Sequence, residues 1–377
     1  MQKLDYSTQL IDEDDINAVV QVLQSNFITQ GKQVEAFEEA LCQYTGAKYA
    51  ITFNSATSAL FSAYKTAGIS KGDEIITSPL SFVATANMFV ELGAKPIWCD
   101  IRLDGNIDET RIEKLITPKT KAIIPIHFAG KPVAIEEIHK IAKKHNLLVI
   151  EDGAHALGSS INSKKIGSFS DMTIFSFHAI KPITTGEGGA VLTDNEEYAK
   201  TLRKLRSHGI EKKALYNSDM TQMGYNFRLT DIAAALGLSQ IAKLDYFIAK
   251  RNEIATFYDE IFKNQKLFLT QKLESDTISA RHLYPIILNP EYQCVKEDIF
   301  QELLESNIGS QVHYKPIYQH SFYKEKFGDY SLKVANDFYL SEISIPCHHK
   351  MSLDDAAYVA ETFLAILNNY KHRACSF

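Results

Sequence analysis

Apolar positions follow two rhythms along this chain. Near the start, Asp12 is placed to cap a helix that carries Ile16, Val19, Val20 and Leu23 on one stripe. A polar turn, SNFITQGKQV (25–34), leads to a second helix with Val34, Phe37, Leu41 and Tyr44 on its inner face. Short apolar runs then alternate with helical ones. KYAITF (48–53), EIITS (74–78), KPIWCD (95–100), KAIIPIHF (121–128), LLVIED (147–152), MTIFSF (172–177) and GGAVLT (188–193) read as strands. One helix begins inside NSATSAL (54–60), and others are expected over 81–92 and 133–144. Apolar strands separated by helices predict a mostly parallel sheet covered on both faces. A long helix over 229–263, with Ile232, Ala235, Leu236, Ile241, Leu244, Phe247 and Ile248 among its apolar positions, is expected to bridge to a second unit. In that unit RHLYPIIL (281–288) and GSQVHY (309–314) read as strands, with helices over 296–306 and 353–368. The expected fold class is therefore α/β. A large domain with a mostly parallel central sheet spans 1–245, and a small C-terminal α+β domain spans 246–377.

Composition narrows the function. The length of 377 residues suits two domains, and 45% hydrophobic with 23% charged residues is ordinary for a globular protein. A net charge of −6 argues against a nucleic-acid binder. The five cysteines (Cys42, Cys99, Cys294, Cys347, Cys375) are scattered with no CxxC pair, so no disulfide framework is expected and a reducing cytoplasm fits. Cys347-His348-His349 reads as a loop rather than a metal site, since adjacent residues rarely supply a tetrahedral set. No metal is expected. The acidic start MQKLDYSTQLIDEDD has no apolar core of a secretory signal, and no apolar run is long enough to span a bilayer.

The candidate chemistry centres on FSFHAIKPITTGEGGA (175–190), an apolar strand that runs into Lys181 and a glycine-rich turn. Burying a lysine cation is costly. Taken alone, such a lysine is best read as one whose head snorkels to water. NSATSAL, EDGAHALG (151–158) and MGYNFRLTD (223–231) change that reading. Together with Lys181 they pattern as a pyridoxal 5'-phosphate (PLP) site in which Lys181 bears the cofactor covalently. Ligands of open α/β sheets lie beyond the carboxyl ends of strands, where Asn54 to Thr57, Phe82, Asp152 and Ser176 with Lys181 all fall. Ser55-Ala56-Thr57-Ser58 opens a helix directly after a strand, which favours an anion such as the cofactor phosphate. Ser176 offers a further hydroxyl. Asp152, closing LLVIED, is placed to hold a proton on the pyridine nitrogen; its neighbour Glu151 must point to the opposite face. His155 is equally well read as a contact to the cofactor's phenolic oxygen or as a hydrogen-bonded core histidine. Phe82 is the candidate for stacking on the ring. Glycines 186, 188 and 189 let backbone pass close by. Lys181 would hold the cofactor, give way to a substrate amine, and then shuttle the proton. A GxGxxG dinucleotide motif between strand and helix is absent from the sequence.

As a set, these motifs resemble the DegT/DnrJ/EryC1/StrS sugar-nucleotide aminotransferases, which are fold-type I PLP enzymes. The resemblance runs from TQGK (29–32) through FNSATSAL, SFVATAN, DGAHALG, SFHAIKPITTGEGGA, RSHG (206–209) and GYNFRLTD to VHYKP (312–316) and IPCHH (345–349). It implies a cytoplasmic transaminase that moves nitrogen from L-glutamate to C4 of a UDP-4-keto-6-deoxy-N-acetylhexosamine. Residue by residue, Lys181 matches the cofactor-bearing lysine, Asp152 the pyridinium partner and His155 the residue near the phenolic oxygen. Ala56, Thr57 and Ser176 match phosphate contacts, and Phe82 matches the stacking position. Asn226 matches a phosphate contact supplied by a second subunit, which implies a homodimer with a shared active site. His313 and Tyr314 match a region near the sugar nucleotide. Relatives that dehydrate instead carry histidine in place of the lysine, so Lys181 implies transamination. Two alternatives stay open: another UDP- or dTDP-4-keto sugar, and a non-catalytic sugar-nucleotide binder.

Overall fold

The seven apolar runs of the first half form one sheet in a computed structural model, which describes residues 3–371. Its order is Tyr49–Phe53, Gly189–Thr193, Met172–Ser176, Leu148–Asp152, Thr120–Ile124, Glu74–Thr77 and Lys95–Trp98. Every neighbouring pair is parallel except those made by Gly189–Thr193, which runs against both of its neighbours. Six strands therefore end at one edge, and the turn between Ser176 and Gly189, which holds Lys181, lies there too.

Strand alternation sends successive side chains to opposite layers. Ile51, Phe53, Ile174 and Val191 pack with Leu60, Tyr64, Phe89 and Leu202 of helices Ala56–Thr66, Ala84–Glu91 and Glu196–Arg206. Ala50, Phe175, Ala190 and Leu192 pack on the other side with Phe37, Leu41 and Ala234 of helices Lys32–Thr45 and Asp231–Ile241. Full burial of one such Phe contributes about 1.5–3 kcal/mol. This two-sided burial is why the strands read as nearly continuous apolar runs.

A second antiparallel sheet, ordered Phe268–Thr270, Tyr284–Leu288, Glu342–Ile345, is covered by Ile254, Tyr258 and Phe262 of helix Leu244–Phe262, Ile299 and Leu303 of Lys296–Glu305, and Phe363 and Leu367 of Leu353–Tyr370. The start of helix Leu244–Phe262 packs instead on the first core through Leu244, Phe247 and Ile248. One helix thus serves both cores. Leu4 pairs with Ile308 and packs on the second core, so the start of the chain lies with its C-terminal part.

Four sequence expectations are corrected. Asp12 does cap helix Glu13–Leu23, accepting from the Asp15 N–H, but the inner positions are Asp15 and Val22. Ile16, Val20 and Leu23 are exposed, Leu23 by 56%. Asp15 faces inward because Gln240 Nε2 donates to it at 2.7 Å and Lys243 pairs with it at 2.8 Å. The helix expected over 229–263 is two helices, Asp231–Ile241 and Leu244–Phe262, bent by 59° at a break where Lys243 reaches Asp12 and Asp15. GSQVHY forms no strand; its backbone meets the second sheet through an isolated Gln311–Ser344 bridge. The strand in KAIIPIHF closes at Ile124, before Pro125, which has no N–H for the ladder.

Cys42, Cys99 and Cys347 are free thiols, whereas Cys294 is disulfide-bonded; Cys375 lies outside the described residues. No single helix among the described residues is long and apolar enough to cross a membrane; the bent pair passes that test only when its halves are joined.

Candidate active site

Lys181 lies five residues beyond Ser176 in the turn that leaves the sheet edge, rather than on the strand itself. Its Nζ is 3.3 Å from His282 Nε2. Burial pulls its pKa down to about 8, against the raising effect of the Asp152 charge and with a further lowering by Arg251. That leaves about a tenth of the amine neutral at pH 7, far more than for an ordinary lysine, and neutral amine is what a nucleophile and proton carrier needs.

Asp152 and Glu151 separate as alternation requires. Glu151 is fully buried in the core, 2.7 Å from His127 Nε2 and 3.0 Å from the Thr173 hydroxyl. Asp152 faces the opposite layer. Its Oδ2 accepts from the Thr85 hydroxyl at 2.6 Å and its Oδ1 from the Ala154 N–H at 3.1 Å. Thr85 is itself 2.8 Å from the Ser81 hydroxyl. The carboxylate is therefore fixed in orientation, with lone pairs left for another donor.

Helix Ala56–Thr66 begins three residues after strand Tyr49–Phe53, and the Ser55 hydroxyl caps it by accepting from the Ser58 N–H. The Ala56 and Thr57 amides, in the first turn, have no intrahelical acceptor. Gly189 brings the neighbouring strand close under this helix start, since a Cβ there would lie 2.6 Å from the Ala56 nitrogen. Thr57 is exposed, whereas Ser176 is buried with its hydroxyl accepting from the His178 N–H at 3.4 Å.

His155 is buried, its Nε2 3.2 Å from the Tyr314 hydroxyl and its ring 4.3 Å from that of His282. Its Nδ1 has no partner among the described residues. Burial, reinforced by the Lys181 charge, keeps this imidazole neutral by lowering its pKa well below the usual value. Phe82 is 62% exposed, with its ring 6.5 Å from Tyr314. Burial raises the Tyr314 phenol well above its ordinary value. His313 is turned inward. Its N–H donates to Glu342 at 2.7 Å, its Nδ1 is 2.9 Å from the Ser344 hydroxyl, and burial lowers its pKa to about 3. Asn226 is exposed and pairs through its backbone with Ser207; among the described residues no hydrogen bond ties its side chain to the other candidates.

The chain thus brings Lys181, Asp152, His155 and Tyr314 into one electrostatic neighbourhood. Three further residues were not legible as site residues. Thr85 stood out only as a hydroxyl inside SFVATAN, and His282 only as a polar interruption of RHLYPIIL. Arg251 is fully buried, and nothing in its helical context marks it.

An amine of lowered pKa, an oriented carboxylate, an open helix start and an orphan imidazole nitrogen fit the groups of pyridoxal phosphate. At the carboxyl edge of such a sheet they define a fold-type I, PLP-dependent aminotransferase. The chain belongs to the DegT/DnrJ/EryC1/StrS aminotransferase family, whose model matches residues 9–364. It is 49% identical over 373 residues to the UDP-4-amino-4,6-dideoxy-N-acetyl-beta-L-altrosamine transaminase of Campylobacter jejuni, covering 98% of this chain and 99% of the relative. It is 45% identical over 373 residues to the Helicobacter pylori protein of the same name, covering 98% and 100%. Among solved structures, Helicobacter pylori PseC, an aminotransferase involved in the biosynthesis of pseudoaminic acid, superposes with a TM-score of 0.96 at 44% identity, covering 98% of this chain and 100% of that one. Spr1654 of Streptococcus pneumoniae in its PLP form superposes with a TM-score of 0.93 at 31% identity, covering 97% and 99%.

Proposed function

We propose that this protein transfers the amino group of L-glutamate to C4 of a UDP-4-keto-6-deoxy-N-acetylhexosamine. The product would be UDP-4-amino-4,6-dideoxy-N-acetyl-β-L-altrosamine, for pseudaminic acid biosynthesis. The observation that carries the reading is Lys181, a half-buried amine of lowered pKa within the field of the Asp152 charge, in a chain that matches transaminases along nearly its whole length. The choice of sugar rests on the names of those relatives.

When bound, pyridoxal phosphate supplies an electron sink for the carbon that carries the nitrogen. The chain's own residues do the rest. Ala56, Thr57 and Ser176 hold the phosphate, and Asp152, steadied by Thr85, keeps the proton on the ring nitrogen. His155 bonds the phenolic oxygen, Phe82 covers the ring face, and His313 and Tyr314 border the sugar nucleotide. Lys181 Nζ removes the proton from Cα of glutamate. In the second half-reaction it delivers one to C4 of the sugar. The uridine diphosphate supplies binding energy remote from the reacting carbon. In this reading the chain divides near residue 245 and works in the cytoplasm, with no nucleic-acid or membrane partner.

The reading also requires a homodimer, in which Asn226 of a second copy completes the phosphate site. The exposed apolar residues Ile16, Val20, Leu23, Phe27 and Ile28, on one helix and the turn after it, support such an interface. The double variant Val20→Asp, Leu23→Asp is expected to be monomeric by light scattering and to bind PLP at least about tenfold more weakly, as losing buried apolar contacts worth about 1–2 kcal/mol each implies. A monomer of undiminished PLP affinity would contradict the shared site, and a variant that stays dimeric would contradict this interface.

The functional test is amination of a panel of UDP- and dTDP-4-keto sugars with glutamate, with C4 configuration read by NMR. The expected substrate is the UDP-4-keto-6-deoxy-N-acetylhexosamine. Preference for a bacillosamine- or perosamine-type product, or no turnover on any member, overturns the reading.

A further inference from the structure

His282 stands at the joint between the two cores, and its place is fixed from several sides. Arg251 Nη1 donates to the carbonyl oxygens of Arg281 at 3.2 Å, His282 at 3.4 Å and Cys347 at 2.8 Å. The Ser159 hydroxyl donates to the Gly130 carbonyl at 2.7 Å and accepts from the Ala280 N–H at 2.8 Å. The backbone just before His282 is thereby pinned to the large domain. Gly130 makes this approach possible: its φ is +93°, and a Cβ there would lie 3.0 Å from the Arg281 nitrogen and 2.9 Å from the His155 carbonyl oxygen. The His282 ring is 1% exposed, lies 4.3 Å from the His155 ring, and has Nε2 3.3 Å from Lys181 Nζ.

The chemistry of the pair follows from donor counts. An ammonium has three donors and no acceptor, so toward cationic Lys181 the imidazole must accept at Nε2 and carry its own proton on Nδ1. The ring stays neutral, because burial first, then the charges of Lys181 and Arg251, lower its pKa well below the ordinary value. The other groups acting on Lys181 are accounted for. Asp152 favours the cation and Arg251 opposes it, while His155 and His313 are held neutral by burial and by Lys181 itself. Among the described residues, it is His282 that lies within hydrogen-bond distance of Nζ, at 3.3 Å.

We propose that His282 is the positioning residue for Lys181: its Nε2 accepts a hydrogen bond from the lysine nitrogen whenever that nitrogen is free, and so holds it in place between its two proton transfers. The proposal rests on the reading of Lys181 as the cofactor-bearing lysine. Proton balance is simple. Neutral Lys181 takes a proton from the substrate carbon and becomes the ammonium, whose N–H groups His282 meets with a lone pair. The ammonium returns the proton to the acceptor carbon and is neutral again. His282 itself neither gains nor loses a proton.

The test separates hydrogen bonding from packing. His282→Phe keeps a flat ring against His155 and removes the acceptor. His282→Gln keeps an acceptor near the Nε2 position. The full-length protein is stripped of PLP, and the rate of PLP attachment, read by its visible band, is followed against pH. Only the neutral amine attaches, so the midpoint reports the Lys181 pKa. An acceptor stabilises the cation, so its loss in His282→Phe moves the midpoint down by at least about one pH unit, while His282→Gln stays within about half a unit of the wild type. Equal shifts in Phe and Gln, or none in either, overturn the proposal. A measurement on unmutated protein covers failure of the variants to fold: in ¹⁵N-histidine-labelled protein, one neutral ring with its proton on Nδ1 should show an Nε2 resonance that moves with the same midpoint as PLP attachment. Absence of such a ring also overturns it. If wild-type Lys181 takes up no PLP at all, the underlying functional reading fails instead, a distinguishable result.

Discussion

Lys181→Ala is expected to lower amination by at least about 10³-fold, about 4 kcal/mol of transition-state stabilisation, with the fold intact. In the proposed mechanism the side chain supplies both the covalent anchor and the proton carrier. Its own tie to the fold is one hydrogen bond, 3.3 Å to His282, and burying its charge is unfavourable. Thermal unfolding of the variant without cofactor should therefore stay close to that of the wild type without cofactor. Turnover within tenfold of the wild type would remove Lys181 from the mechanism. A collapse of stability would show that the residue is structural.

Asp152→Asn has the second largest expected effect, a loss of about 10²–10³-fold in turnover, about 3–4 kcal/mol. The amide has the same shape and still accepts from the Thr85 hydroxyl, which donates to Oδ2 at 2.6 Å. What disappears is the negative charge that, in the proposed mechanism, keeps a proton on the ring nitrogen. A second consequence has a definite sign. Asp152 is the charge that raises the Lys181 pKa, offsetting part of the burial that brings it down to about 8. Without it the amine titrates lower, and PLP attachment extends to more acidic pH. The variant should thus bind cofactor over a wider pH range while turning over far more slowly. Full activity, or PLP attachment confined to higher pH than in the wild type, would contradict the assignment.

How much of this was visible in the chain varies with the physics of each part. The central strands were legible because both faces are buried, which leaves long apolar runs. The choice of Asp152 over Glu151 followed from alternation alone, and Glu151 does turn to His127 and Thr173. The inner face of helix Glu13–Leu23 was misassigned because periodicity shows that a stripe is apolar but not what covers it. There the buried position is the charged Asp15, satisfied by Gln240 and Lys243 from a distant helix. The break before Leu244 was hidden for the same reason, since Lys243 finds its carboxylates only in the folded state. Thr85, Arg251 and His282 escaped notice because their importance is purely tertiary: each acts through a partner more than 60 positions away in the chain. The placing of the candidate residues at strand ends was therefore readable from the sequence, and their supporting contacts were not.

The central claim is that the nitrogen of Lys181 becomes covalently joined to pyridoxal phosphate. Borohydride reduction of the PLP-loaded protein, followed by digestion and peptide mass spectrometry, tests it most directly. The account predicts a pyridoxyl adduct on the peptide that contains Lys181, abolished when glutamate is added before the reductant. An unmodified Lys181 peptide, or an adduct on a different lysine, would contradict it.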